Sequence, residues 1–255
     1  MLDIHQFPYG DDNYGVLLHC HNSGETAMVD AGDAYAGEQA LAKTGWSLSQ
    51  IWITHHHGDH TAGLAKLKAA HNAHVIGPAT RGKPPLPGVD QQVSDGGHFA
   101  FASRDVHVLT TPGHTLDMTN FYLPNDKLVF TGDTLFAMGC GRLFEGDAPM
   151  MWASLNKLMA LPDDTTIYCS HEYTVSNAAF ALSIDPKNKI LQQRKIEVEA
   201  LTKFTIPTIP TNLSLEKMTN PFLRANDPGI RESLNMLHAD PEQVFSEIRK
   251  RKDNF

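Results

Sequence analysis

The stretch QIWITHHHGDH, residues 50–60, sets a short apolar run directly against four histidines and an aspartate. Aromatic and β-branched side chains bounded by polar residues read as a strand over residues 50–54. Imidazole is neither a good core filler nor a strong former of any one secondary structure, and an isolated histidine is most often a tolerated structural residue. Four at one strand end share a task, and for ring nitrogens beside a carboxylate that task is to hold metal. His55 and His57 are two apart, so in extended chain they point the same way while His56 points opposite. Asp59 and His60 follow where the chain turns into a helix, and so address a second position. His56 is read as packed or hydrogen-bonded behind the site.

Working outward, three later strand-like runs also stop at a ligand-type residue. VLTTPGHT delivers His114, LVFTGDT delivers Asp133 and IYCSHEY delivers His171. Loops at strand ends converge on one edge of a sheet, so residues far apart in sequence can meet there. Five imidazoles and two carboxylates exceed the three or four protein ligands of one zinc ion, but suit two metals bridged by a carboxylate. The spacing assigns His55, His57 and His114 to one metal, Asp59, His60 and His171 to the other, and Asp133 to the bridge. The expected cofactors are two divalent metal ions per chain, zinc first, although iron and manganese suit these donors equally on ligand type. Asp30, in MVDAG, ends a strand; it either accepts from the second ring nitrogen of a ligand histidine or serves the turn itself.

Around these motifs, strand-like runs fall at 14–21, 26–30, 50–54, 74–77, 106–110, 120–123, 127–131 and 165–169. Helical patterns at 37–43, 61–70 and 149–161 lie between them, the order of an α/β layered fold. From about residue 177 the texture changes. NKILQQRKIEVEALTKF, residues 188–204, reads as one amphipathic helix; IPTIPTN breaks the chain, and PEQVFSEIRKRK, 241–252, reads as a last helix. A chain of 255 residues can hold one large core plus a small appended domain, and the expected division is 1–172 and 173–255.

With 41% apolar and 20% charged residues the composition is that of a globular protein, and no uninterrupted apolar run approaches the length of a membrane span. The first residues, MLDIH, lack the basic start and apolar stretch of a secretory signal. Three widely spaced cysteines suit reduced thiols, so the expected location is the cytoplasm. A net charge of −8 argues against nucleic acid as a partner.

THHHGDH, TPGHT, FTGDTLF and HEY, in this order, resemble the metallo-β-lactamase superfamily, whose hallmark is H-x-H-x-D-H. GDTLFAMGCGRLFEG, CSHEYT, TNPFLR and RKRKDNF are similar to the glyoxalase II family of hydroxyacylglutathione hydrolases, over essentially the whole chain. The resemblance implies an α/β fold, an αββα metallo-β-lactamase sandwich with a C-terminal α-helical domain. It also implies a monomer that hydrolyses S-(2-hydroxyacyl)glutathione, typically the D-lactoyl thioester of methylglyoxal detoxification, to glutathione and a 2-hydroxy acid. In such a site a hydroxide held by both metals and Asp133, with Asp59 alongside, attacks the thioester carbonyl, and metal charge stabilises the oxyanion. The resemblance maps glutathione contacts onto Arg142, Phe144, Tyr173, Arg249 and Lys252. Arg142 stands where some relatives carry lysine, and can grip a carboxylate bidentately; Phe144 stands where some carry tyrosine, and offers no hydroxyl. Arg224 is expected to lock the two domains together. No G-x-S-x-G motif occurs, and Cys140 is read as a packing residue rather than a nucleophile.

Rival readings fit less well. A persulfide dioxygenase of this fold would use one iron, and neither it nor a β-lactamase would need the C-terminal helical segment. RNA-processing relatives carry a basic exosite. A non-catalytic module would be expected to have lost a ligand, and none is missing here.

Overall fold

A computed structural model describes residues 2–80 and 85–255. The chain forms two compact units, Met1–Thr110 with Thr115–Gly132, and Thr111–His114 with Asp133–Phe255.

The first unit opens with β1 (Leu2–Tyr9), β2 (Asn13–Cys20) and β3 (Thr26–Val29), followed by α1 (Ala34–Thr44) and β4 (Gln50–Trp52). Next come α2 (Gly58–Thr61), α3 (Leu64–His71), β5 (His74–Pro78) and β6 (Gln91–Val93). Strands β1 to β6 form a mixed sheet in chain order. β1, β2 and β3 pair antiparallel, whereas β3, β4, β5 and β6 pair parallel; α1 makes the crossover from β3 to β4, and α2 with α3 that from β4 to β5. The Asp33 carboxylate caps α1, accepting from the backbone of Tyr35 (2.8 Å) and Ala36 (3.1 Å), so the helix begins before residue 37. The expected helix over 61–70 divides into α2 and α3, because the Gly63 N–H turns away to donate to the Ala31 carbonyl at 2.8 Å.

β7 (His98–Phe101), β8 (Arg104–Thr110), β9 (Thr119–Leu123) and β10 (Leu128–Gly132) lie side by side in the order β10-β9-β8-β7. Trp52 joins the two sets of strands. Its ring meets Phe99 and Phe101 edge-on at 5.3 and 5.2 Å, with Phe121 at 5.6 Å and Phe130 at 6.3 Å. Edge-to-face aromatic contact of this kind fills the space between packed sheets. The strand that leads into the histidine cluster is therefore anchored in the core by its last residue.

The second unit contains a ribbon, β11 (Leu135–Phe136) with β12 (Gly139–Cys140), then α4 (Ala148–Met159) and β13 (Thr166–Cys169). After these come α5 (Thr174–Ile184), α6 (Lys189–Lys203), β14 (Thr211–Asn212), α7 (Leu213–Thr219), α8 (Pro228–Ser233) and α9 (Pro241–Asp253). α6 follows the predicted helix closely and is capped by the Asn188 side chain. α5 gave no amphipathic signal because its sequence, TVSNAAFALSI, has no charged face. Its Ala178 and Ala181 are packed with Met138, Leu191 and Val198. Arg224 does not bridge the two expected domains: it pairs with Asp185 and Asp227, and so ties the helical segment to itself. Among the described residues no helix is long and apolar enough to cross a membrane.

Candidate metal centre

In the first unit, β3 is followed directly by Asp30, held in the left-handed region at φ 59°. Its carboxylate gathers the start of the histidine motif. It accepts from Thr54 N at 2.8 Å, from Thr54 Oγ1 at 3.0 Å, and lies 2.8 Å from His60 Nδ1. Asp30 thus fills both roles expected of it, shaping the strand end and orienting a histidine. His55 Nδ1 is 3.0 Å from Thr54 Oγ1. With Nδ1 engaged on both rings, Nε2 is the ligand atom each can offer.

The donors converge within this unit. His55 Nε2 lies 3.1 Å from His57 Nδ1, and His60 Nε2 lies 3.4 Å from Asp59 Oδ2. At the first separation one of the two ring nitrogens can donate to the other, or both can face a shared metal ion. His55 and His60 are fully buried, whereas the Asp59 side chain is 47% exposed. Asp59 is aimed by Asn13 Nδ2, which donates to its carboxylate at 3.1 Å, and by Tyr9, whose hydroxyl donates to its carbonyl at 2.8 Å. Gly32 is needed here, since a Cβ on it would stand 1.8 Å from the Asp59 carbonyl oxygen. His56 leaves the group: its Nδ1 lies 2.9 Å from Asp117 Oδ1.

The second unit brings together His114, Asp133 and His171. Asp133 directs Oδ2 toward His114 Nε2 at 3.3 Å and Oδ1 toward His171 Nε2 at 3.4 Å. The His114 Nδ1 lies 2.8 Å from the Arg142 carbonyl, which fixes its tautomer with Nε2 as the ligand atom. His171 is stacked on Tyr173, centroids 4.8 Å apart and planes 3° from parallel, with Phe136 edge-on at 5.9 Å. Gly141 lets the chain double back, because a Cβ there would lie 1.9 Å from the Asp133 carbonyl oxygen. In both units the donors are imidazole and carboxylate, and the Nδ1 atoms of His55, His60 and His114 are already held. That set fits divalent metal ions.

The residues expected to meet glutathione divide by exposure. Arg142 is 60% exposed, with Nε 3.6 Å from Asp253 Oδ1 and its guanidinium 6.0 Å from the Phe144 ring. Phe144 is 61% exposed and its ring stands 5.2 Å from that of His114. Lys252 lies over Phe180 and Phe255, at 5.2 and 5.4 Å. Burial, then the neighbouring guanidinium groups of Arg249 and Arg142, holds its pKa below the ordinary lysine range. Arg249 is buried, donating to the Cys140 carbonyl at 2.9 Å and to Asp253 at 2.8 Å. Burial pushes the Cys140 thiol up to about 11, so it carries no thiolate near neutral pH. The sequence did not point to Asn177, Glu216 or Asn220, which hold the ribbon after Asp133. Asn220 lies in the quoted TNPFLR, the one signal that could have marked it.

Comparison with known proteins extends this picture. Residues 11–171 match the metallo-beta-lactamase superfamily model, and residues 172–255 match the model for the hydroxyacylglutathione hydrolase C-terminus. The chain is 52% identical to the hydroxyacylglutathione hydrolase of Brucella anthropi, over 100% of this chain and 97% of that one. It is also 52% identical to the hydroxyacylglutathione hydrolase of Rhizobium meliloti, over 100% and 99%. Among solved structures, ETHE1 from Myxococcus xanthus superposes with TM-score 0.66 at 24% identity, covering 98% of each chain, a likeness of fold alone. TTHA1623 in a di-iron-bound form superposes with TM-score 0.61 at 25% identity, covering 86% of this chain and 100% of that one. The fold is thus the metallo-β-lactamase α/β fold with mixed sheets and a C-terminal helical region. The chain belongs to the hydroxyacylglutathione hydrolase family of the metallo-β-lactamase superfamily.

Proposed function

We propose that this chain is a thioester hydrolase acting on S-(2-hydroxyacyl)glutathione, with the D-lactoyl thioester as a typical substrate, and that it works with two divalent metal ions. His55, His57 and His114 would hold one ion, Asp59, His60 and His171 the other, and Asp133 both. The observation that carries the reading is the split carboxylate of Asp133, each oxygen facing a different imidazole, at 3.3 and 3.4 Å. A carboxylate shared between two ions would be expected to face ligands of both, and Asp133 faces His114 and His171, which are assigned to different ions. Bound there, the ions would bring the ionisation of water toward neutral pH and polarise the thioester carbonyl. Zinc is the favoured metal, with iron and manganese suited by the same donors; the di-iron form of TTHA1623 supports a two-metal site in this fold.

The protein's own groups supply orientation and charge. Asp30 and the Arg142 carbonyl hold His60 and His114 in the required tautomers. The exposed Arg142 and the half-buried Lys252 offer cations to the glutathione carboxylates, with Phe144 and Tyr173 as flanking rings. Arg249 would contribute from beneath them, through its hold on Cys140 and Asp253. The meeting of the two family models between residues 171 and 172 supports a functional division into 1–172 for catalysis and 173–255 for substrate binding. Three buried thiols suit a cytoplasmic enzyme, which we take to act as a monomer.

The test is to compare a 2-hydroxyacylglutathione with a small thioester that lacks the tripeptide. Each charge-assisted contact is worth roughly 1.5–3 kcal/mol and about 1.4 kcal/mol is tenfold. With two such contacts, kcat/KM should favour the glutathione thioester by about a hundredfold or more. Equal values would refute glutathione as the recognised group.

A further inference from the structure

Strands β11 and β12 are two residues each, too short to satisfy their own backbone by pairing alone. Buried peptide groups nevertheless require partners. Over residues 136–140 those partners are side chains from the C-terminal helices. Asn220 Nδ2 donates to the carbonyls of Phe136 (3.2 Å) and Gly139 (3.0 Å). Asn177 Nδ2, on α5, donates to the Ala137 carbonyl at 3.1 Å. Glu216 Oε2, on α7, accepts from Met138 N at 2.8 Å, and Arg249, on α9, donates to the Cys140 carbonyl at 2.9 Å. Five consecutive residues are thereby held by four buried side chains. Met138 sits between them in the left-handed region, at φ 54°, without being glycine or asparagine. Glu216 is also paired with Arg194, which donates to its other oxygen, as does Thr211 at 2.6 Å.

The ribbon touches each ligand-type residue of its unit. Asp133 lies two positions before its first residue, Leu135. Gly141 N returns to the Thr134 carbonyl at 3.2 Å, and the next carbonyl, that of Arg142, is the one facing His114 Nδ1. The Phe136 ring lies against both His171 and Tyr173, at 5.9 and 5.4 Å.

We propose that Asn177, Glu216, Asn220 and Arg249 are positioning residues for the metal site. By clamping backbone 136–140 they set where Asp133, His114 and His171 present their ligand atoms. The C-terminal helices then do more than meet substrate, since metal affinity depends on them. The idea rests on the two-metal reading above for what the three ligands hold.

Asn220→Ala removes two of the five bonds without adding charge. Metal retention against a graded chelator should weaken by about tenfold or more, the scale seen when groups that orient metal ligands are lost. For the glutathione thioester kcat should fall while KM stays within about twofold, because substrate contacts are untouched. Asp227→Ala is the control: it uncaps α8, where Asp227 accepts from Gly229 N at 2.8 Å, and lies outside the clamp. It should lower Tm while leaving chelator resistance and kcat at parent values below the transition. If Asn220→Ala behaves like Asp227→Ala, losing Tm alone, the proposal is overturned. Should Asn220→Ala fail to fold, Asn177→Ala, which loses one bond, must show the same pattern at smaller size, or the proposal falls. A parent that binds metal but leaves glutathione thioesters intact overturns the substrate assignment, and chelator resistance still decides the clamp. A parent that binds no metal overturns both.

Discussion

The histidine motif of the first unit and the ribbon of the second solve one problem in opposite ways. Residues 54–60 carry four donors in one short stretch, oriented by neighbours on adjoining strand ends, with Asp30 alone engaging Thr54 and His60. The second unit collects His114, Asp133 and His171 from three separated strand ends. It steadies them through a ribbon whose partners lie 40 to 109 residues away. A ligand set that is local in sequence needs little scaffold, whereas a dispersed one borrows rigidity from the rest of its unit. Loss of a single motif ligand should therefore be felt mainly at the ion it is proposed to hold, whereas loss of Asp133 or of the ribbon's hold should reach both.

The largest expected effect is at Asp133. Asp133→Asn removes a charge that both metals are proposed to share. Elemental analysis of the purified variant should show both sites depleted, and turnover should drop by about 10²-fold or more. Loss of one metal only would make Asp133 a terminal ligand and erase the contrast between the units.

Within the motif, His55→Ala and His57→Ala should each deplete metal and activity, while His56→Ala should keep the metal and lose mainly stability. The Nδ1 of His56 is occupied by Asp117 at 2.9 Å rather than by the other imidazoles. Depletion in His56→Ala as deep as in the other two would break the alternation on which the motif was read.

The alternation shows how much was legible in advance. Side-chain direction in an extended stretch depends on position alone, so His55, His57 and His56 could be sorted from the sequence. Strand ends carrying His114, Asp133 and His171 were visible because each apolar run stops abruptly. The long α6 is legible from its amphipathic pattern, and the structure adds the Asn188 cap. The ribbon did not. Met138 turns the chain at φ 54° without any turn-forming residue type, held there by Glu216 from 78 positions away. α5 hid for the opposite reason, being apolar around much of its surface. Arg224, expected to lock the two domains together, is instead satisfied within the helical segment by Asp185 and Asp227, and its pairing with Asp185 has no local sequence signal.

The smallest effect concerns substrate charge in the second unit. Lys252 is faced by Arg249, Arg142, Asp253 and the Cys140 thiol, and burial leads in lowering its pKa. Only its protonated form attracts a carboxylate. KM for a glutathione thioester should therefore rise as pH increases through a value below the ordinary lysine range, while a small thioester shows no such rise. Lys252→Gln should flatten the profile and raise KM near neutral pH by about tenfold. An unchanged pH profile in the variant would leave Lys252 as a packed helix end.

The proposed function turns on two metal ions per chain serving one hydrolytic reaction. Chelating the purified protein and returning metal in measured equivalents, with bound metal and hydrolysis of a 2-hydroxyacylglutathione followed together, tests it directly. Activity should be absent in the metal-free chain and reach its plateau as bound metal reaches two per chain. Full hydrolysis without metal, or a plateau at one ion per chain, would contradict it.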